Sequence, residues 1–519
     1  MRGRRIAIAV AGAALGALAF APSGASALTP NGCEQTNAPM PGQPSEWSCW
    51  SSAVTVSGYE VKRGNVGIPK PPVGVGNITK MEVDVADANG PVPIDRLMLH
   101  HIVFFNSART DAVCGGPERF FGAGEERNKL SFPDGFGYQY APGGGWGATY
   151  MYMNHRAQSD TAYIEYKLTI DPDPMIRSTR SYWLDVGNCA GDPIYNVPGI
   201  DRPEIPNCAK AKKAAKRTGT KRARRKAARC KANERRVRAS IPTEATHVLS
   251  KDVTIEQDGI LVGGAGHVHG GAKELTLTKP GCGNLQVAES KPTWGNADHP
   301  FYNVKPILHE PGPIGMTAFK TPTGIPVQNG QTLRLNSVYD DLQPHTRVMG
   351  IYGVYLAPRQ AGDPVDPCGG APSDTTYGPG TNQPGRTEPV PFQVPLTGLS
   401  GGQAVTIDGP PGAFKTLDSG ATVTVGDRFF SEPNVVLRPG ATINYRFSGN
   451  ELHNLTLANG PMGIGSPDAS GGKVYSQTFT RAGTYRFFCG LHPVQMSERV
   501  VVENPKPKPK KKKRKAKKR

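Results

Sequence analysis

The sequence predicts an all-β protein, and three observations carry that expectation. Runs of alternating apolar and polar residues, such as "HIVFFN" at 101–106 and "AYIEYKLTI" at 162–170, recur between turn clusters, and this period of two marks half-buried strands. Glycine and proline number 63 and 48 in 519 residues, a composition that favours turns over long helices. The chain is also too long for a single core, so the strands are expected to divide among two to four domains.

The N-terminal stretch "MRGRRIAIAVAGAALGALAFAPSGASALTP" combines a basic start, an apolar run and the small-residue site Ala25-Ser26-Ala27. It reads as a secretory signal over residues 1–27, since the apolar run is short for a membrane span and ends in Pro and Gly. The mature protein is therefore expected to be secreted, extracellular or associated with the cell surface. Nine cysteines suit that compartment. With Cys489 set aside as a ligand, Cys33, Cys49, Cys114, Cys189, Cys208, Cys230, Cys282 and Cys368 form the even set that a disulfide framework needs, with the pairing open.

A first strand-rich region covers 28–195, and a basic insertion or linker follows over 196–240. Within it, residues 210–238 carry fifteen Lys/Arg against Glu234, and the Ala/Lys/Arg content suits an exposed helix broken at Gly219. A second strand-rich region runs over 241–358, a Pro/Gly-rich linker over 359–415 and a third strand-rich region over 416–503. The tail at 504–519, "NPKPKPKKKKRKAKKR", adds eleven Lys/Arg, so the formal charge of +18 hides a slightly acidic body of about −7. Such blocks are solvated. In an exported protein their partner is expected to be an anionic cell-wall polymer or membrane surface rather than nucleic acid.

In the third region, "GTYRFFCGLHPVQM" sets Tyr485, Phe487 and Cys489 on one strand face, pointing inward. His492 and Met496 follow on the loop, and His453 lies 36 residues before Cys489 in "NELHNLTL". A thiolate, two imidazoles and a weak thioether are the donors of a blue-copper site, which suits electron transfer. Residues 416–503 resemble a cupredoxin in His453-Asn454, the strand into Cys489 and the C-x2-H-x3-M spacing. That resemblance implies a Greek-key β-sandwich with type 1 copper on His453, Cys489, His492 and Met496.

Two further motifs are rich in histidine. "RLMLHHIVFFN" holds the adjacent pair His100 and His101, and "YMYMNHRAQ" holds His155. Adjacent residues on a regular strand face opposite ways, so a pair serving one metal needs a twist or bulge. In "GGAGHVHGGAKELTL", His267 and His269 share a strand face and can grip one ion, with Met349 of "PHTRVMGIYGVYL" as a soft third donor. His247, His299, His309 and His345 are expected in surface or hydrogen-bonding roles.

Together these motifs resemble the copper type II, ascorbate-dependent monooxygenases, the family of peptidylglycine α-hydroxylating monooxygenase and dopamine β-monooxygenase. The resemblance spans roughly residues 80–358. It implies two jelly-roll-like β-sandwiches facing across a solvent-filled cleft, with an electron-transfer copper on His100, His101 and His155. It likewise implies an oxygen-activating, catalytic copper on His267, His269 and Met349. The implied reaction inserts one oxygen atom of O2 into a C–H bond of a small molecule, with ascorbate or another external reductant. Where peptide-amidating members carry an Arg before the H-x-H pair and an Asn and a Tyr after the Met, this chain has Ala265, Ile351 and Gly353. A glycine-extended peptide is therefore not the expected substrate.

The leading expectation is a secreted oxidoreductase holding up to three copper ions, the cupredoxin serving as electron donor or relay. The alternative is a non-catalytic exported copper-binding or electron-transfer protein that uses the cupredoxin site only.

Overall fold

The computed structural model describes residues 29–503, apart from 188, 190–192, 204, 297, 305–307, 379–396, 401–402 and 407–409. The segment 1–27, expected as a secretory signal, and the basic tail 504–519 lie outside the described residues.

The chain is built from β-strands in several sheets, as the alternation predicts. Strand Asp160–Asp171 alternates buried and partly exposed positions along its length, and Ile164, Tyr166, Leu168 and Ile170 enter the first core. In the first region a four-stranded sheet, in the order Val61–Ile68, Trp146–Asn154, Leu97–Thr110 and Pro117–Gly124, packs over that core. A second core fills the 241–358 region, around Leu275, Leu335, Tyr352 and Val354.

The two regions are not separate sandwiches. Strand Arg177–Asp185 pairs antiparallel with Gly350–Pro358, from Arg180 opposite Leu356 to Asp185 opposite Ile351. This ladder fuses them into one 13-stranded sheet and fixes one half against the other.

The basic insertion forms two helices, Ala209–Thr218 and Lys221–Ala239, with no buried residue in either. Gly219 adopts a left-handed φ of 64° between them, and the Thr220 hydroxyl accepts from the Ala223 amide to start the second. The Cys208–Cys230 disulfide staples the pair. The other bridges are Cys33–Cys49, Cys114–Cys189 and Cys282–Cys368, and Cys489 alone is free, and buried. Part of the 359–415 segment is tied down rather than extended: Cys368 is bridged to Cys282, and Thr376–Gly378 pairs with Ala318–Val327. The composition of that segment carries no sign of either long-range partner.

The 416–503 region is a β-sandwich of a five-stranded and a four-stranded sheet. Its core runs on into Val61, Met98, Met151 and Met153 of the first region. Asp468 accepts from Asn454 of its own region at 2.8 Å, from Arg347 of the second region at 2.8 Å and from Arg63 of the first. The C-terminal sandwich is thus keyed to both halves.

Burial also creates a pH dependence. Asp185, at the end of the seam strand, accepts the Gly187 amide at 2.8 Å, yet burial pushes its carboxyl up to about 7 from 3.8. The unfolded chain releases this proton near pH 4 while the folded chain keeps it to about 7, so stability falls across that window and is flat above it. In copper-free protein, Asp185→Asn is expected to remove this slope and to be more stable by about 3–5 kcal/mol at pH 8, at 1.36 kcal/mol per unit. Urea midpoints at pH 4.5 and 8 read the difference; parallel slopes in both proteins would refute it.

Candidate metal centres

In the C-terminal sandwich, strand Gly483–Phe488 sends Tyr485 and Phe487 inward, and Cys489 continues that face at full burial. The Cys489 Sγ lies 3.8 Å from His453 Nδ1 and 3.7 Å from His492 Nδ1, and the two nitrogens are 3.2 Å apart. Each ring is aimed by a carboxylate on its far nitrogen: Asp427 meets His453 Nε2 at 2.9 Å and Glu451 meets His492 Nε2 at 3.3 Å. Such partners fix the tautomer and leave Nδ1 as the donor. The Asn454 side chain accepts the Gly490 amide at 2.7 Å, which pins the loop after the thiol. Burial pushes the Cys489 thiol up, and burial with Arg428 takes His492 down to about 4. Met496 is buried in the same core, and its carbonyl accepts the Cys489 amide at 3.2 Å. A soft sulfur beside two neutral imidazoles fits a copper ion.

The second constellation forms where the two halves meet. The ladder between Leu97–Thr110 and Trp146–Asn154 pairs His101 with Met151 and Leu99 with Tyr152, leaving His100 as the extra residue of a bulge. The bulge re-aims His100, so both neighbouring imidazoles reach one place. The His100 ring centroid is 5.1 Å from His101, 5.0 Å from His269 and 4.8 Å from His309. His101 is 6.3 Å from His267, and His267 is 5.2 Å from His269. Gly124 makes this possible: a Cβ there would come within 2.6 Å of the His267 ring.

Two adjacent acids organise the rings. Glu125 joins His100 Nδ1 to His309 Nε2 through one oxygen and accepts the Gly312 amide at 2.6 Å through the other. Glu126 faces His267 Nδ1 at 3.1 Å and is itself held by the Gly124 amide and the Asn128 side chain. Burial lowers His101 and His269 well below the ordinary histidine range, the neighbouring histidines adding to it. For His267, burial acts the same way but Glu126 outweighs it, and the net shift is upward. His267 Nε2, His269 Nε2 and His309 Nδ1 are buried with no hydrogen-bond partner among the described residues. Orphaned imidazole nitrogens from two segments beside the His100 and His101 rings fit a metal ion better than a structural network does. With copper bound there, Glu126→Gln is expected to weaken metal affinity by about 10–100-fold through loss of ring orientation. A competitive Cu(I) chelator titration measures this; unchanged affinity would remove Glu126 from the site.

Met349 is buried where the His345–Val348 and Gly350–Pro358 strands meet. Register pairs His267 with Ile351 and Val268 with Gly350, which sets Met349 beside His269. His155 is buried just beyond the end of its strand. Rings of the second region, His269, His309 and His267, stand beside His100 and His101. The seam ladder draws the two halves together there. His309 and His345 have hydrogen-bonding roles, on Glu125 and on Glu310 at 2.9 Å, and His309 also stands beside the His100 ring.

Two cavities flank the cluster. A small one of about 110 Å³ lies between His100, His269 and His309 on one side and Asn454, Phe488 and Gly490 of the C-terminal sandwich on the other. The second, of about 1130 Å³, opens onto His101 and His267. Met349 lines both.

Residues 207–359 match the family described as SURNod19, Stress up-regulated Nod 19. Over 123 residues the chain is 29% identical to the "Probable copper-dependent oxygenase M1" of Phoma sp., covering 22% of this chain and 32% of that protein. Over 102 residues it is 30% identical to the "Probable copper-dependent oxygenase clz3" of Cochliobolus lunatus, covering 18% and 33%. The chain thus spans about a third of the length of these curated relatives. Similar solved structures include a purple cupredoxin from Nitrosopumilus maritimus, 21% identical over 16% of this chain and 99% of that one, at a TM-score of 0.15. A reduced amicyanin mutant is 32% identical over 17% and 85%, also at 0.15. No helix among the described residues is long and apolar enough to cross a membrane.

Proposed function

We propose that the chain is an exported, copper-dependent monooxygenase-like oxidoreductase that uses its C-terminal sandwich as a built-in electron relay. The observation that supports this reading is the approach of His100 and His101 to His269 and His267 across the seam, a small cavity away from the residues after His453 and Cys489. Copper held there would supply the one-electron chemistry that lets O2 react with an unactivated C–H bond. His267 and His269, with Met349 alongside, would hold the oxygen-facing ion. His100 and His101, with His155 as the family resemblance implies, would hold copper from the other half, and His309 stands beside His100.

Glu126 keeps the His267 donor nitrogen aimed at the centre, and Glu125 does the same for His100 and His309. His453, Cys489, His492 and Met496 would hold the relay copper, reduced by ascorbate or another external donor. The two relatives, each named a probable copper-dependent oxygenase, agree with this chemistry only at the level of class. The eight bridged cysteines and the 1–27 segment support export, and the basic blocks support retention on an anionic surface.

Copper per chain after anaerobic Cu(I) loading and removal of excess metal tests the proposal. More than one tightly held ion, with at least one surviving Cys489→Ser, supports it. A single ion lost in that variant would leave an electron carrier on a β scaffold.

A further inference from the structure

The larger cavity has a floor whose shape follows from register. Along strand Gly259–Val268, residues Gly263, Ala265 and His267 share one face. Across the ladders, Lys320 stands opposite Gly263 and Ala318 opposite Ala265, while Tyr355, Gly353 and Ile351 oppose the same three residues on the other side. The alternate residues Phe319, Tyr352 and Val354 point the other way, into the second core. Four small residues, Gly263, Ala265, Ala318 and Gly353, therefore leave a trough along the sheet surface. One end is His267. The other is Lys320, four residues away along the ladder, or about 13 Å at 3.3 Å per residue.

The walls are broad and aromatic: Trp183 flanks Gly353, and Phe105, Phe121 and Tyr150 face the floor from the first region. Gly122 lets Trp183 lie flat, since a Cβ there would sit 2.4 Å from its ring. Three other cations around the cavity are matched, Arg63 with Asp468, Arg119 with Asp111 and Lys129 with Glu82, while Lys473 at its rim is exposed to solvent. Lys320 meets only the Ser131 hydroxyl, at 3.3 Å, and no carboxylate among the described residues. An ammonium without a counter-charge at the end of an apolar trough is a recognition point for an anion.

We infer that this trough binds a flat, apolar organic acid, its acidic group on Lys320 and its far end at His267. The inference rests on the oxygenase reading for calling that molecule a substrate, but binding itself does not depend on copper or on turnover. A cavity of about 1130 Å³ exceeds the volume that most small ligands fill, so a fused-ring or aryl-extended acid suits it better than a simple amino acid derivative.

The test is fluorescence titration of the full chain, with and without copper, using two probes of one shape. Anilinonaphthalene sulfonate carries an anion, and phenylnaphthylamine has the same aromatic system without it. Both are expected to bind at a single site. Lys320→Gln should weaken the sulfonate by about tenfold, the worth of one charge-assisted hydrogen bond, and leave the amine unchanged. Ala265→Leu, whose side chain extends into open cavity rather than core, should weaken both. Loss of the sulfonate preference without loss of copper content separates this role from misfolding. Failure of either probe to bind, indifference to Ala265→Leu, or equal effects of Lys320→Gln on both probes would overturn the inference. Absence of oxygen uptake with these binding patterns intact would count against the oxygenase reading alone.

Discussion

Replacing His267 and His269 together with alanine is expected to cut oxygen consumption by at least about 10³-fold, or about 4 kcal/mol of barrier, while the blue absorption of the C-terminal sandwich persists. The two rings supply buried Nε2 donors that have no hydrogen-bond partner among the described residues, and His267 is held in place by Glu126 across the seam between the halves. Removing both takes the imidazole partner from Glu126 and leaves the second region only His309, which Glu125 holds, at the cluster. The C-terminal thiol and its two Nδ1 neighbours belong to another core, so their colour should not change. Oxygen-electrode rates and visible spectra on one preparation give both readouts. Loss of both signals together would mean the double variant misfolds, and His267→Asn alone would then decide.

Cys489→Ser is expected to have the converse effect. The blue absorption and one bound copper are lost, the histidine cluster keeps its metal, and turnover with an external donor falls because electrons no longer have an entry point beside the small cavity. The expectation follows from placement: Gly490 and Asn454, each adjacent to a relay ligand, line the same cavity as His100, His269 and His309. The clamp of Asp468 on Arg63 and Arg347 holds that placement. Unchanged turnover in Cys489→Ser would detach the sandwich from catalysis.

Much of this architecture was legible in the sequence. Period-two alternation identified the strands, and it predicted the inward direction of Cys489 from Tyr485 and Phe487. With Cys489 set aside as a ligand by its motif, the remaining eight cysteines formed the even set that is bridged in the structure. The requirement that His100 and His101 need a bulge was readable from strand geometry, and the bulge is there. What could not be read was long-range: the ladder of Arg177–Asp185 with Gly350–Pro358 brings histidines of both halves together, and no local pattern encodes that pairing. His309 was missed because it lies in an irregular segment, "LHEPGP", where periodicity carries no signal. Glu125 and Glu126 were missed for a similar reason, at the end of a strand where two acids read as a solvated turn. Full burial of both side chains is what marks them out.

The most direct measurement is stopped-flow mixing of fully reduced, copper-loaded protein with O2, following the return of the blue absorption. If the histidine cluster draws its electrons from the Cys489 centre, the colour should return quickly in the wild type and far more slowly in the His267→Ala, His269→Ala variant. Equal rates in the two proteins would contradict the account, since the sandwich would then be meeting oxygen on its own.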